Sequence, residues 1–166
     1  MAFTFNADEV FEMAEQIERN GAAFYRHAGE RAGDGGLRER LLKLSDWELK
    51  HEQRFHSLRL KLSPQSRDHT AYDPEAEAPL FLRAMADAHV FNVRQLADPT
   101  KALTGQESMP TLLRIALGFE KDSIVFYLGL KEYVPQPQGK AEIDGIIREE
   151  MTHVSILSGE LRELGE

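Results

Sequence analysis

Residues 37–62, LRERLLKLSDWELKHEQRFHSLRLKL, decide the fold. Leu37, Leu41, Leu44, Glu48, His51, Phe55, Leu58 and Leu62 follow one another at alternating intervals of four and three, the spacing of a single face of an α-helix. A strand would need alternation at every second position, and the chain has no such run bounded by turn residues. Glu48 and His51 interrupt the seam at its middle, among leucines and a phenylalanine. Polar groups turned inward at that point need a partner, and the rest of the chain supplies one.

N-terminal to this helix, Val10, Ala14, Ile17, Gly21, Phe24, Tyr25 and Ala28 form the inward face of a helix expected over 7–32, with Asn6 as its cap and the run Gly33-Asp34-Gly35-Gly36 as its end. Beyond residue 62, Ser63-Pro64 stops the second helix, and 63–109 reads as a crossover with a short helical stretch at about 79–97. A third helix, 110–134, carries Leu113, Ala116, Glu120, Ser123, Tyr127 and Leu130 on its seam. Pro135-Gln136-Pro137-Gln138-Gly139 breaks it, and a fourth, 140–164, turns Ile143, Ile146, Glu150, His153, Leu157 and either Leu161 or Leu164 inward. Short loops between helices one and two and between three and four make antiparallel hairpins, and the long middle segment returns the chain along their length. The expectation is an all-α antiparallel four-helix bundle, a single domain over 1–166.

Composition narrows the chemistry. The chain of 166 residues is 42% hydrophobic and 29% charged, enough apolar material for a substantial core and too much for disorder. A net charge of −8 disfavours nucleic-acid phosphates and anionic lipid and favours cations. With no cysteine, any metal must be held by oxygen and nitrogen. No apolar run has membrane-spanning length and residues 1–8 lack the layout of a secretory signal, so a cytoplasmic location is expected.

The two halves repeat one another. Each has a glutamate seven residues before a tyrosine on its first helix (Glu18 and Tyr25; Glu120 and Tyr127) and Glu-x-x-His on its second (Glu48 and His51; Glu150 and His153). A spacing of three places both side chains on one helix face, one turn apart. With glutamate at about one position in ten and six histidines, chance alone yields roughly 0.6 such pairs, so two of them, both on apolar seams, are a signal. Heights agree as well: Glu18 and His51 each lie about 14 residues from the first hairpin loop, and Glu120 and His153 about as far from the second. Four carboxylates buried in one layer without compensation would exceed a domain's net stability of roughly 5–15 kcal/mol. No lysine or arginine occupies the seams, whereas two divalent cations cancel four carboxylates, and carboxylate with imidazole suits iron or manganese. Tyr25 and Tyr127 are placed to hydrogen-bond ligand carboxylates or to face an open coordination position. Trp47 reads as core or interface, His27, His56, His69 and His89 as surface or packing residues, and Glu52 and Glu149 as pointing to other helix faces.

The stretches IERNGAAFY at 17–25, ELKHEQRF at 48–55, FEKDSIVFY at 119–127 and EEMTH at 149–153 resemble the rubrerythrin branch of the ferritin-like di-iron carboxylate proteins. That resemblance spans all four bundle helices. It implies a ferritin-like fold and two non-haem iron ions, with manganese or zinc as substitutes, bound by Glu18, Glu48, His51, Glu120, Glu150 and His153, of which Glu48 and Glu150 bridge. Rubrerythrins carry a further glutamate one turn after the third-helix ligand, where this chain has Ser123. They commonly add an iron–cysteine module that feeds electrons to the centre, which a chain without cysteine cannot form. The activity implied is reduction of peroxide or dioxygen, with electrons from a separate donor protein or from the ferrous iron itself. The alternative is a protein that oxidises ferrous iron in order to hold it. A homodimer or small homo-oligomer is expected.

Overall fold

A computed structural model describes residues 6–64, 103–134 and 137–166. Most of the expected crossover, its helix at about 79–97, and His69 and His89 lie outside the described residues.

Helix α1, Ala7–Arg31, begins where the sequence provides a reciprocal cap: the Asn6 side chain accepts from the Glu9 amide at 2.9 Å while the Glu9 carboxylate accepts from the Asn6 amide at 2.9 Å. It ends at Ala32, whose backbone is extended. Helix α2, Gly35–Leu60, starts two residues earlier than the expected 37, because Asp34 accepts from the Leu37 amide at 2.7 Å and draws Gly35 and Gly36 into the first turn. It stops short of Leu62 because Pro64 disfavours helical backbone at the residue before it.

Helix α3, Met109–Leu130, is capped by Ser108 with Pro110 in its first turn. The expected continuation to 134 does not form as α-helix. Lys131–Tyr133 tighten to a 3-10 turn and the Val134 amide bonds the Lys131 carbonyl at 3.2 Å, since Pro135 has no N–H with which to continue the ladder. Helix α4, Pro137–Glu163, begins inside the stretch read as a break; proline is tolerated at the first helical position, where its missing donor would be unpaired anyway. At the far end Gly165, at φ 80°, closes the helix: its amide bonds Arg162 at 3.1 Å and that of Glu166 bonds Leu161 at 3.0 Å. Leu161 therefore faces inward and Leu164 is exposed.

Among the described residues there are four α-helices and no strand, and they form the expected ferritin-like antiparallel bundle. Helix α1 packs along α2 and α3 along α4, and the hairpins meet through α1 against α3 and α2 against α4. Ion pairs fix the direction of the latter contact, for Arg40 meets Glu160 and Lys61 meets Glu142. The seam residues named from the sequence are the core: Val10, Ala14, Leu41, Leu44, Phe55, Leu113, Ala116, Leu130, Ile143, Ile146 and Leu157 are each exposed by at most 1%. Burying each of the larger side chains is worth about 1.5–3 kcal/mol. Phe24 against Phe119, edge-on at 4.9 Å, and Phe55 against Tyr127 at 4.8 Å pack on either side of the polar layer.

Candidate metal centre

Because both hairpins turn over short loops, the inward positions near mid-helix meet at one level. Glu18 on α1, Glu48 and His51 on α2, Glu120 on α3, and Glu150 and His153 on α4 are all buried there, none more than 4% exposed. Their ligand atoms form two overlapping groups, Glu18 with Glu48, His51 and Glu150, and Glu120 with Glu48, Glu150 and His153, in each of which the atoms lie within 4.8 Å of one another. Glu48 and Glu150 belong to both groups. The structure thus brings together all six residues singled out from the sequence, with one carboxylate and one imidazole at each end and two carboxylates between.

Each histidine turns Nδ1 toward this centre. His51 Nδ1 is 3.0 Å from Glu150, 3.5 Å from Glu48 and 3.6 Å from Glu18. His153 Nδ1 is 2.8 Å from Glu150, 3.2 Å from Glu48 and 3.4 Å from Glu120. These are crowded approaches, not aligned hydrogen bonds: Glu48 Oε1, both Glu150 oxygens and both Nδ1 atoms are buried with no hydrogen-bond partner. Buried polar atoms left unpaired cost about 1–3 kcal/mol each, so a converging set of them, all donors of electron pairs, fits cations at the centre.

The tyrosines serve the outer carboxylates across the hairpins. The Tyr25 hydroxyl donates to Glu120 and the Tyr127 hydroxyl to Glu18, so each bonds the glutamate of the opposite helix and not the one seven residues before it. This reciprocity sets α1 antiparallel to α3. Gly21 lies one turn after Glu18, where an added Cβ would meet Glu48 Cγ at 3.3 Å, so the small residue leaves room for that carboxylate.

The electrostatics follow from crowding. Burial pushes the Glu48 carboxyl well above its ordinary value, and Glu150, Glu120 and Glu18 add to this. Glu120, buried and beside Glu150, is pushed up to about 8. Burial opposes charge on His153, but Glu120, Glu150 and Glu48 outweigh it and hold the imidazole up at about 12. His51 is raised likewise, against burial, by Glu150, Glu18 and Glu48. Burial also works against ionised Glu150, yet His153 and His51 hold that carboxyl below the usual range. Burial, then the neighbouring carboxylates, keep Tyr25 and Tyr127 protonated. The cluster retains protons that cations would displace.

Two residues next to the ligands have contacts that helix phase did not foretell. Glu149 is half exposed, consistent with its lying off the seam, but its Oε2 is 2.7 Å from His51 Nε2 and it also accepts from Arg54 at 2.9 Å. Trp47 lies flat on His153, ring centroids 4.9 Å apart and planes within 8°. Both reach the histidine of the neighbouring helix, a contact invisible within one helix. A signal did exist, since a ligating imidazole needs an acceptor for its second nitrogen and Glu149 is level with His51 on the facing helix. Glu52 instead pairs with Arg19 at 2.8 Å, and the half-exposed His56 is 3.3 Å from Glu15.

Four helices presenting four carboxylates and two imidazoles in one buried layer define a ferritin-like bundle with a candidate di-metal centre. Neither a protein-family model nor a curated protein sequence matches the chain. Among solved structures it is similar to a Thermotoga maritima protein assigned provisionally to the ferritin-like diiron-carboxylate class, at TM-score 0.73 and 21% identity over 98% of this chain and 99% of that one. It is also similar to the manganese catalase KatB from Anabaena, at TM-score 0.65 and 15% identity over 99% of this chain and 76% of that one. A second KatB structure gives TM-score 0.62 and 16% identity. At these identities the likeness establishes the shared fold. No helix among the described residues is long and apolar enough to cross a membrane.

Proposed function

We propose that the protein is an oxidoreductase of rubrerythrin type that reduces peroxide or dioxygen at two non-haem iron ions. Glu18 and His51 would hold one ion, Glu120 and His153 the other, with Glu48 and Glu150 shared. The observation that carries this reading is the pair of overlapping ligand groups with Glu48 and Glu150 in common, converging on buried atoms that have no other partner. Such a metal pair, when bound, would supply the electron transfer that reduction of peroxide or dioxygen needs.

The chain's own residues position and insulate. Leu44, Ile146 and Phe55 keep bulk water from the layer, which strengthens every charge interaction inside it. Tyr25 and Tyr127 fix the outer carboxylates and hold a proton on the phenol oxygen beside each of them. Gly21, one turn beyond Glu18, keeps side-chain bulk away from the shared Glu48 carboxylate. Electrons come from a separate donor protein or from the ferrous ions, and the assembly is a homodimer or small homo-oligomer in the cytoplasm. Manganese is the leading substitute metal, since the same oxygen and nitrogen donors suit it and one structural neighbour is a manganese catalase.

One observation favours a second reading. Ser123 stands where rubrerythrins carry a further glutamate, and a centre without it fits a protein that oxidises ferrous iron to hold it. Metal analysis of the purified protein, beside Glu48→Ala and His153→Ala, tests the centre: bound metal should fall in both variants. Anaerobic iron loading followed by rapid mixing with peroxide and, separately, dioxygen tests the chemistry. Turnover with a reductant supports the oxidoreductase, a single oxidation with retained iron supports the holding protein, and no oxidation with either oxidant ends both.

A further inference from the structure

The two halves of the bundle repeat at one constant interval: Glu18 corresponds to Glu120, Tyr25 to Tyr127, Glu48 to Glu150 and His51 to His153. By the same interval Trp47 corresponds to Glu149, and there the repeat breaks. Each of these two residues precedes a shared glutamate and touches the histidine on the facing helix. One histidine therefore meets a carboxylate and the other an indole.

We infer that the two metal positions are chemically inequivalent, with Glu149 acting as a positioning residue that makes the Glu18 and His51 position the tighter and first filled. The inference rests on the di-metal reading of the site. An ionised carboxylate can only accept, so His51 keeps a proton on Nε2, 2.7 Å from Glu149, and the proton that an ion displaces is the one on Nδ1, which faces the centre. The ring is thereby set in the ligating orientation before any ion arrives, and Nδ1 is the more electron-rich donor once its proton has left.

The support behind Glu149 is itself built. Arg54 donates to both Glu149 oxygens, at 2.9 and 3.1 Å, and to the Glu142 carbonyl at 3.2 Å. Gly145 leaves the space that Arg54 crosses, since a Cβ there would lie 2.9 Å from its guanidinium. In the other half Lys43 stands at the position of Gly145, 5.3 Å above the Trp47 ring, and Ile156 at the position of Arg54.

His153 has no such support. Its Nε2 is buried with no hydrogen-bond partner, and the stacked Trp47 orients the ring plane but offers that nitrogen no acceptor. When an ion displaces the Nδ1 proton, the one left on Nε2 stays buried and unpaired, with no carboxylate behind it to strengthen Nδ1 as a donor. That penalty is absent at His51, so the affinities separate.

Anaerobic titration of the metal-free full chain with cobalt(II), followed by calorimetry and by the visible absorption of the bound ion, tests this. The wild type should bind in two resolved steps, with Glu120→Ala keeping the tighter step and Glu18→Ala losing it. Glu149→Ala should weaken the tighter step about 10–100-fold and alter its spectrum, and Glu149→Gln, whose amide oxygen still accepts, should restore part of the loss. Circular dichroism checks that helicity is unchanged, as expected for a half-exposed side chain. Two steps unaltered by Glu149→Ala, or a tight step surviving Glu18→Ala, would overturn the inference while leaving the metal centre standing. A wild type that binds no cobalt would sink the metal centre and the inference with it.

Discussion

Gly21 shows how much of the site depends on one missing methyl group. Glu48 runs past it on the way to the centre, so Gly21→Ala must push a shared carboxylate by a few tenths of an ångström. The expected result is a folded protein that binds metal more weakly, measured by metal titration alongside helicity; unchanged affinity would mean that Glu48 tolerates the shift. Tyr25 and Tyr127 allow a paired test. Replacing either by Phe removes the one tyrosine donor to a buried carboxylate, which should destabilise the metal-free protein by about 1–3 kcal/mol in chemical denaturation. Because the two contacts are reciprocal, the two variants should behave alike. A loss confined to one of them would show that the halves differ at the tyrosines as well as at Trp47 and Glu149.

At the scale of elements, caps and breaks decide where each helix begins, while the seam decides which way it faces. Asn6 closes the first turn of α1 far from the polar layer, and Asn6→Ala should cost about 1 kcal/mol of unfolding free energy with metal content unchanged. Loss of metal in that variant would indicate that the start of α1 controls the position of Glu18. Differences between expectation and structure fall at helix ends. Asp34 captures a glycine pair, Pro135 converts the end of α3 to a tighter turn, and Pro137 opens α4 instead of interrupting it. None of them moves a ligand, because the ligands lie near mid-helix, where the ladder is continuous.

For the molecule as a whole, the buried layer couples stability to protons and to cations. Glu120 is held at about 8 against an ordinary 4.5, so the folded metal-free chain binds more protons than the unfolded chain across that window. His153, held at about 12 against 6.5, acts in the same direction. Stability of the metal-free protein should therefore fall as pH rises from about 4.5 to about 8, and Glu150, held low, should withdraw its own contribution in acid below its ordinary value. Thermal melts of the chelator-treated protein across this range measure it. Metal should raise the melting temperature most at the alkaline end, because cations replace protons that are hardest to retain there, and a flat or rising profile without metal would contradict the proposed charge balance.

The amino-acid order by itself determined the helical class, the inward seams, the hairpin pairing and the six polar residues that share one layer. Those features follow from the period of the α-helix and from equal distances to two short loops, both of which are local properties of the chain. Only the tertiary structure decided that each tyrosine serves the opposite glutamate, that Glu149 reaches His51, and that Trp47 lies on His153. Each of these is a contact between helices, and it depends on which side chain a neighbouring helix presents at the same height, which the periodicity of a single helix does not contain.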